Sequence, residues 1–445
     1  MNLFWKKVFG GLTPTEKLEK EEEALLLAYK RYCDIELSEQ LKEYTALFQT
    51  VKAASFKEKK KTLQNRKFKD TEEYRDFRKY EKLHRNAKLK SYYDELNSVR
   101  LAEFLAFKNS PDYEKLGLKK EIDKDPMLQK FKTYEKSSAY KNYLRFHNSF
   151  VVQEYEKLKA KVSTDDFIER KIFWENNNRW QTTEEYTIEQ RYHELQKTDD
   201  IKFYEFTDPQ KFGVIEKWAL SFEDNFDGEK LNKNRWKNGY YHRAAALKKI
   251  YSFAGEKQAY SDGANIKVGD SLLKINTIQE KTEATAWDSK IGFITQEFNF
   301  SSGIINTGES FQQEHGLIKA KIRIVGSSHI SHAFWLGADG KLPHISIFNF
   351  DGKKISVNAY SGNGKSVSAQ KETVKGISPF DFYIYTLEWT NTELIWRINN
   401  IEIFRTSKSL PKQTLFPAFN SFIGAHQHGG QGSLEVDWIR IYTKK

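Results

Sequence analysis

Glycine is distributed so unevenly along this chain that it divides the fold before any motif is read. Of 24 glycines, 21 lie beyond residue 210, and only Gly10, Gly11 and Gly117 come before it. A glycine in a helix interior costs about 1 kcal/mol relative to alanine, whereas turns that need positive φ favour it. The first half is therefore free to be helical and the second must turn often. With 445 residues the chain also exceeds one ordinary domain. The pattern predicts a multidomain α and β protein, with an all-α region over 1–210 and an all-β region over 213–445. The joint falls in Thr207-Asp-Pro-Gln-Lys-Phe-Gly213.

The first region reads as short amphipathic helices that begin at capping residues. Ser98 precedes Leu101, Phe104 and Phe107; Ser137 precedes Tyr140, Tyr143 and Phe146; Ser149 precedes Val152, Tyr155 and Leu158. Thr183 before Tyr186, and Thr198 before Ile201 and Tyr204, continue the habit. Ser or Thr at the N-cap with apolar groups three and four apart describes helices of about three turns, each burying one stripe. Tyr-Glu-Lys-Leu recurs at Tyr80, Tyr113 and Tyr155, and Asn109-Ser110 recurs as Asn148-Ser149. Such repetition predicts stacked helical hairpins, as an α-solenoid or an irregular bundle, with a protein partner as the natural ligand of this region.

Composition narrows the function classes. Lys and Arg number 72 against 61 Asp and Glu, a formal charge of +11 spread over a surface of mixed sign. The basic run from Lys52 to Lys69 is interrupted by Glu58 and accompanies no nucleic-acid-binding fold, which argues for a solvated helix face over a nucleic-acid partner. A single Cys33 excludes an intrachain disulfide and suits the cytosol. No apolar run reaches the length of a membrane span. Lys6 and Lys7 break the apolar start of the chain, so no signal peptide is expected and the cytoplasm is the default location.

In the second region, Leu317 to Ile324 and Leu394 to Phe404 alternate with the period of strands. The informative strand is Pro343-His-Ile-Ser-Ile-Phe-Asn349. Ile345 and Ile347 point to a core, so His344 and Ser346 share the opposite face. Asn349 joins them if a one-residue bulge turns it back; without the bulge Phe348 takes its place.

Around this strand the sequence resembles the family 16 glycoside hydrolases, whose catalytic strand reads EIDIxE after a segment close to PAFWLL. Here Ala333-Phe-Trp-Leu336 precedes HISIFN. Phe222-Glu-Asp-Asn-Phe-Asp-Gly228 with Trp236 resembles the family's opening motif, and Ser301-Ser-Gly303 its TSG. His315 to Arg323, Phe382 to Trp389 and Val436 to Tyr442 resemble later motifs in the same order. The resemblance implies a two-sheet jelly roll of the concanavalin A-like kind, with a saccharide groove across one sheet. It places His344, Ser346 and Asn349 where the family has its nucleophile, supporting Asp and acid/base, so the catalytic carboxylates are replaced. It also puts Trp335 in the groove as a stacking platform, with Phe334 as the alternative because alternation sends the two to opposite faces. A tryptophan ahead of the first family Glu becomes Leu342. His332, His315, His426 and His428 are candidates for the rim, and the last pair alone is poor evidence for a metal. The family's structural calcium would fall at Asp437 and Asn225, the latter in place of a Glu.

These readings imply a catalytically inactive glycoside hydrolase-like protein that binds a polysaccharide or oligosaccharide, or a protein, through its sandwich, while the helical region tethers or assembles it. The competing expectations are an active retaining glycosidase with acids displaced to Glu297, Glu309 or Glu314, and a purely structural assembly component.

Overall fold

In the computed structural model, residues 3, 4, 6, 11–340, 342–362, 366–424 and 426–445 are described. Their contacts form two compact units, residues 34–206 and residues 1–33 with 207–445.

The unit 34–206 is helical, and its helices start where the capping residues predict. Ser98, Ser137, Ser149 and Thr183 each accept a hydrogen bond from the backbone N–H three residues on. Glu39–Lys52 packs against Glu184–Lys197, Glu72–His84 against Phe150–Val162, and Ala87–Leu96 against Ser138–Phe146. This pairing is nested, outermost with outermost. Of the two expected arrangements it is therefore that of a bundle, since a solenoid would pair each helix mainly with its sequence neighbour. Nesting also brings two of the three copies of the recurring tetrapeptide together. Tyr80 and Tyr155 stack on each other across paired helices, with centroids 5.7 Å apart and planes 9° apart. Of the basic run, Lys60 bonds Glu189 at 2.7 Å, Lys59 pairs with Glu185, and Arg66 lies over the Trp174 ring.

The other unit is a β-sandwich. One sheet of eleven strands carries, along its main path, Ile401–Thr406, Leu394–Ile398, Tyr383–Trp389, Gly316–Gly326, Gly432–Lys444, Leu272–Asp288, Gly292–Ser302 and Gln258–Tyr260. The second, of seven strands, runs Val367–Val374, Ile355–Gly362, His344–Phe350, Ser331–Gly337, Phe416–Phe422, Ile304–Asn306 and Lys237–Asn238. The core lies between them. Ile318, Ala320, Ile322, Leu387 and Trp396 of the first sheet meet Phe334, Leu336, Ile345, Phe348, Val357 and Phe419 of the second. Alternation in both strand sets makes this a two-sheet jelly roll.

Residues 1–33 join this sandwich, a different grouping from a cut near residue 210. In the helix Thr15–Glu36, Leu18 packs with Ile384 and Trp438, and the Trp438 indole donates to Glu19 at 2.8 Å. Lys319 and Lys321, which point away from the core, bond Glu22 at 2.8 Å and Glu19 at 2.9 Å. Asn399 donates to the Thr13 carbonyl at 2.9 Å and to the Thr15 hydroxyl at 3.0 Å, and Leu3 and Leu12 enter the main core. Helical periodicity reveals that such a stripe is buried but cannot name what buries it.

A fragment starting at residue 213 loses this cover. At about 1.5–3 kcal/mol for each large apolar side chain fully buried, its urea midpoint should fall well below that of the sandwich transition in the intact chain, while 34–206 alone should unfold cooperatively. A 213–445 fragment as stable as the intact sandwich would show that residues 1–33 contribute no support.

Candidate functional site on the seven-stranded sheet

The strand His344–Phe350 contains the bulge. Trp335 pairs with Ser346 but Phe334 with Phe348, and Ser346 pairs with Asn358 but Asn349 with Ser356. One extra residue is thus inserted, and both Ile347 and Phe348 turn into the core, at 1% and 0% exposure. Asn349 returns to the face of His344 and Ser346. The Ser346 carbonyl at the bulge accepts from the Trp396 indole at 3.0 Å, so the opposite sheet satisfies an acceptor inside the core.

Three rows of cross-strand neighbours result on this outward face. His344 lies between Gly337 and Tyr360, Ser346 between Trp335 and Asn358, and Asn349 between Ala333 and Ser356. The Trp335 ring stacks beside His344, with centroids 5.0 Å apart and planes 28° apart, and its indole N–H donates to Asn420 at 2.9 Å. A Cβ on Gly337 would collide with Cζ3 of Trp335, so only glycine leaves room for the indole there. His344 Nε2 and the Ser346 hydroxyl share a hydrogen bond of 3.0 Å, and Asn349 donates to Ser356 at 3.1 Å. Burial pushes the His344 imidazole down to about 4, which leaves it neutral near pH 7.

Other candidates lie elsewhere. Phe334 is fully buried, stacked on Phe419 at 4.4 Å, so Trp335 is the aromatic of the outward face. His332 has the parity of Phe334 and points inward. It is 0% exposed, bonded to Ser421 at 2.8 Å and lying along Phe350, with burial pushing its imidazole down to about 3. It is therefore no part of the groove row. His315 sits against Trp389 at the start of a strand of the other sheet. His426 and His428 are exposed in a loop, His428 edge-on to His329. Among the displaced acids, Glu297 pairs with Lys281 at 3.3 Å on the other sheet, Glu309 with Lys248 at 2.9 Å, and Glu314 faces His315 at 3.9 Å. Glu309 also meets Lys237 at 3.9 Å, at the Lys237–Asn238 end of the seven-stranded sheet, and none of the three stands on the strands from Val367–Val374 to Phe416–Phe422.

The calcium candidates fare similarly. Asp437 meets the Lys321 ammonium at 2.6 Å, and the Asn225 side-chain oxygen accepts from Arg440 at 3.3 Å. Two cations hold the oxygens that a calcium ion would need, so this donor set does not suit one. Among the described residues no group of three or more His, Cys, Asp or Glu could share an ion.

Sequence reasoning passed over several residues of the site. Asn358 and Tyr360 were legible as the polar members of the alternating run Ile355–Gly362, but no motif marked them. Asn420, on Phe416–Phe422, joins Trp335 to the Tyr260 hydroxyl, which it reaches at 3.1 Å. Behind it Tyr240 meets the Tyr260 ring edge-on and donates to Glu256 at 3.0 Å. Burial raises the Glu256 carboxyl above the usual range. It is a single carboxyl, positioned by loops far apart in sequence, and no local pattern signals it.

A two-sheet jelly roll with an aromatic and amide-lined sheet face is the class defined so far. Residues 257–440 match the family model for glycosyl hydrolases family 16, and the sandwich is a domain similar to that family. The match does not reach the helical unit. The sandwich is similar to many solved structures, among them the following three. The catalytic domain of an endo-1,3-beta-glucanase (laminarinase) from Thermotoga petrophila has 20% identity and a TM-score of 0.41, with 52% of this chain and 99% of that one covered. The laminarinase catalytic domain from Thermotoga maritima has 20% identity and a TM-score of 0.42, covering 52% and 100%. The endo-beta-1,3-glucanase from Pyrococcus furiosus has 17% and 0.41, covering 51% and 95%. No curated protein matches the chain.

Two outcomes follow from this geometry. His344 has a folded-state value of about 4 against an ordinary 6.5, so its contribution to stability is complete above 6.5 and is lost as the pH falls toward about 4. The urea midpoint should decline across that window, less steeply in His344→Gln; equal slopes would mean that the imidazole is not desolvated. Chelation with EDTA should leave the melting temperature unchanged, whereas a fall restored by added calcium would contradict the pairing of Asp437 with Lys321.

Proposed function

We propose that this is a non-catalytic glycoside hydrolase-like protein whose β-sandwich binds a carbohydrate on the outward face of the seven-stranded sheet, and whose helical unit tethers or assembles it with a protein partner. One observation carries the reading. The outward positions of the strands from Val367–Val374 to Phe416–Phe422 bear Trp335, His344, Ser346 and Asn349 and, among the described residues, no carboxylate. Retaining hydrolysis needs two carboxyl groups about 5–5.5 Å apart, one ionised and one protonated. A neutral imidazole, a hydroxyl and an amide cannot share those tasks, yet with an indole they suit a sugar, which offers both an apolar face and hydroxyls.

The purified chain should release no reducing sugar from laminarin, lichenan, agarose or carrageenan. Release that disappears in His344→Ala would establish an active enzyme instead. Saccharide binding should depend on Trp335. Removing a central aromatic anchor costs about 2 kcal/mol or more, roughly thirtyfold in affinity, so Trp335→Ala should lose glycan retention while keeping its circular dichroism spectrum. Retention unchanged in that variant would move the site off this sheet.

A further inference from the structure

The middle row of the outward face extends beyond the positions that resemble catalytic ones. Trp335 pairs with Ser346, Ser346 with Asn358, and Asn358 with Lys371, each directly opposite the next on adjacent strands. With neighbouring strands about 4.8 Å apart, the four Cα positions span roughly 14 Å across the sheet. A flat aromatic stands at one end, a hydroxyl and an amide in the middle, and an ammonium at the other end.

Asn358 is the unusual member. It is 5% exposed, and its side-chain oxygen is buried without a hydrogen-bond partner. Buried amides are almost always satisfied, and here the core supplies nothing, because Val357 and Ala359 on either side take the inward positions. By strand parity the Asn358 side chain stands on the outward face next to Ser346, where a hydroxyl donor of a ligand would satisfy the acceptor.

Lys371 supplies the charge. Several strand cations elsewhere on the sandwich are neutralised, as Lys319 is by Glu22, Arg323 by Glu435 and Arg440 by Glu223. Lys371 is exposed and makes no ion pair among the described residues. A solitary exposed lysine is ordinary. This one stands directly opposite a buried amide with an unmet acceptor, and among the described residues it is the one Lys, Arg, Asp or Glu at the outward positions of the strands from Val367–Val374 to Phe416–Phe422.

We propose that the groove takes an acidic oligosaccharide, lying across the strands with one ring on Trp335, a hydroxyl donated to Asn358 and a carboxylate or sulfate group at Lys371. This rests on the carbohydrate-binding reading above and adds to it a ligand class and two binding residues. Asn358 selects for a donor at the middle unit, and Lys371 selects for negative charge at the far one. Polar and charged contacts of this kind set specificity more than raw affinity.

The test is calorimetric titration of the full chain, at low salt, with two pairs of probes that differ in charge alone: oligogalacturonate against its methyl ester, and carrageenan oligosaccharides against their desulfated forms. At least one acidic member should bind about tenfold more tightly than its neutral counterpart, a difference of about 1.4 kcal/mol. That preference should shrink in high salt and vanish in Lys371→Gln, with binding of the neutral member unchanged. Asn358→Ala should weaken both members of the pair at least about fivefold, and Asn358→Ser, which can still accept a hydrogen bond, should recover part of the loss. Equal binding of acidic and neutral probes, unaffected by Lys371→Gln, would overturn the acidic class and leave carbohydrate binding standing. Binding indifferent to Asn358→Ala would remove that residue from the site. Failure of every probe, together with neutral glycans such as laminarin oligosaccharides, would overturn this inference along with the reading on which it rests.

Discussion

The face described here depends on one bulge and on the indole that holds it. Inserting Ile347 lets two consecutive side chains, Ile347 and Phe348, enter the core, and returns Asn349 to the face of His344 and Ser346. A bulge leaves ladder groups unpaired, and the Trp396 indole, itself 0% exposed, meets the freed Ser346 carbonyl from the opposite sheet. Without that donor, a carbonyl buried in the sandwich would stand unsatisfied at a cost of about 1–3 kcal/mol. The rows across the sheet, from Trp335 to Lys371, inherit their register from this point.

The same economy appears at the outer face of the larger sheet. Lys319 and Lys321 alternate outward from a strand whose Ile318, Ala320 and Ile322 are in the core, and the N-terminal helix brings Glu22 and Glu19 to them. Asp437, where the family resemblance implies a calcium ligand, meets Lys321. An ammonium held between two carboxylates supplies the positive charge that a metal would otherwise bring. The sandwich is thus supported on one side by its own chain, while its other sheet turns Ser346, Asn349, Asn358 and Asn420 outward.

Much of the site was legible in the alternation of the sequence. Period two placed His344 and Ser346 on one face and Trp335 and Phe334 on opposite ones, as the structure has them. The bulge was not decidable locally, because it rests on Trp396, 50 residues along the chain from Ser346. His332 was a candidate for the rim, yet its parity with Phe334 fits the buried position it takes, where it shares a hydrogen bond with Ser421. Asn358 was readable as a polar strand residue, but its significance lies in a missing partner, which only three-dimensional packing reveals. The capping serines were the most local signals and were read correctly one by one. What they could not convey was the nested pairing of the helices, or that the helix starting at Thr15 is buried against the sandwich, since amphipathic periodicity carries no address.

The central claim is that the outward face of the seven-stranded sheet is a ligand surface built around Trp335 and the amides beside it. The most direct measurement follows the side-chain N–H signals of Trp335, Asn349, Asn358 and Asn420 by nuclear magnetic resonance as an acidic oligosaccharide is added to the full chain. These four signals should shift together and saturate at one ligand per chain, while the indole of Trp180 in the helical unit stays still. Shifts confined to other residues, or saturation without any change at Trp335 and Asn358, would contradict it.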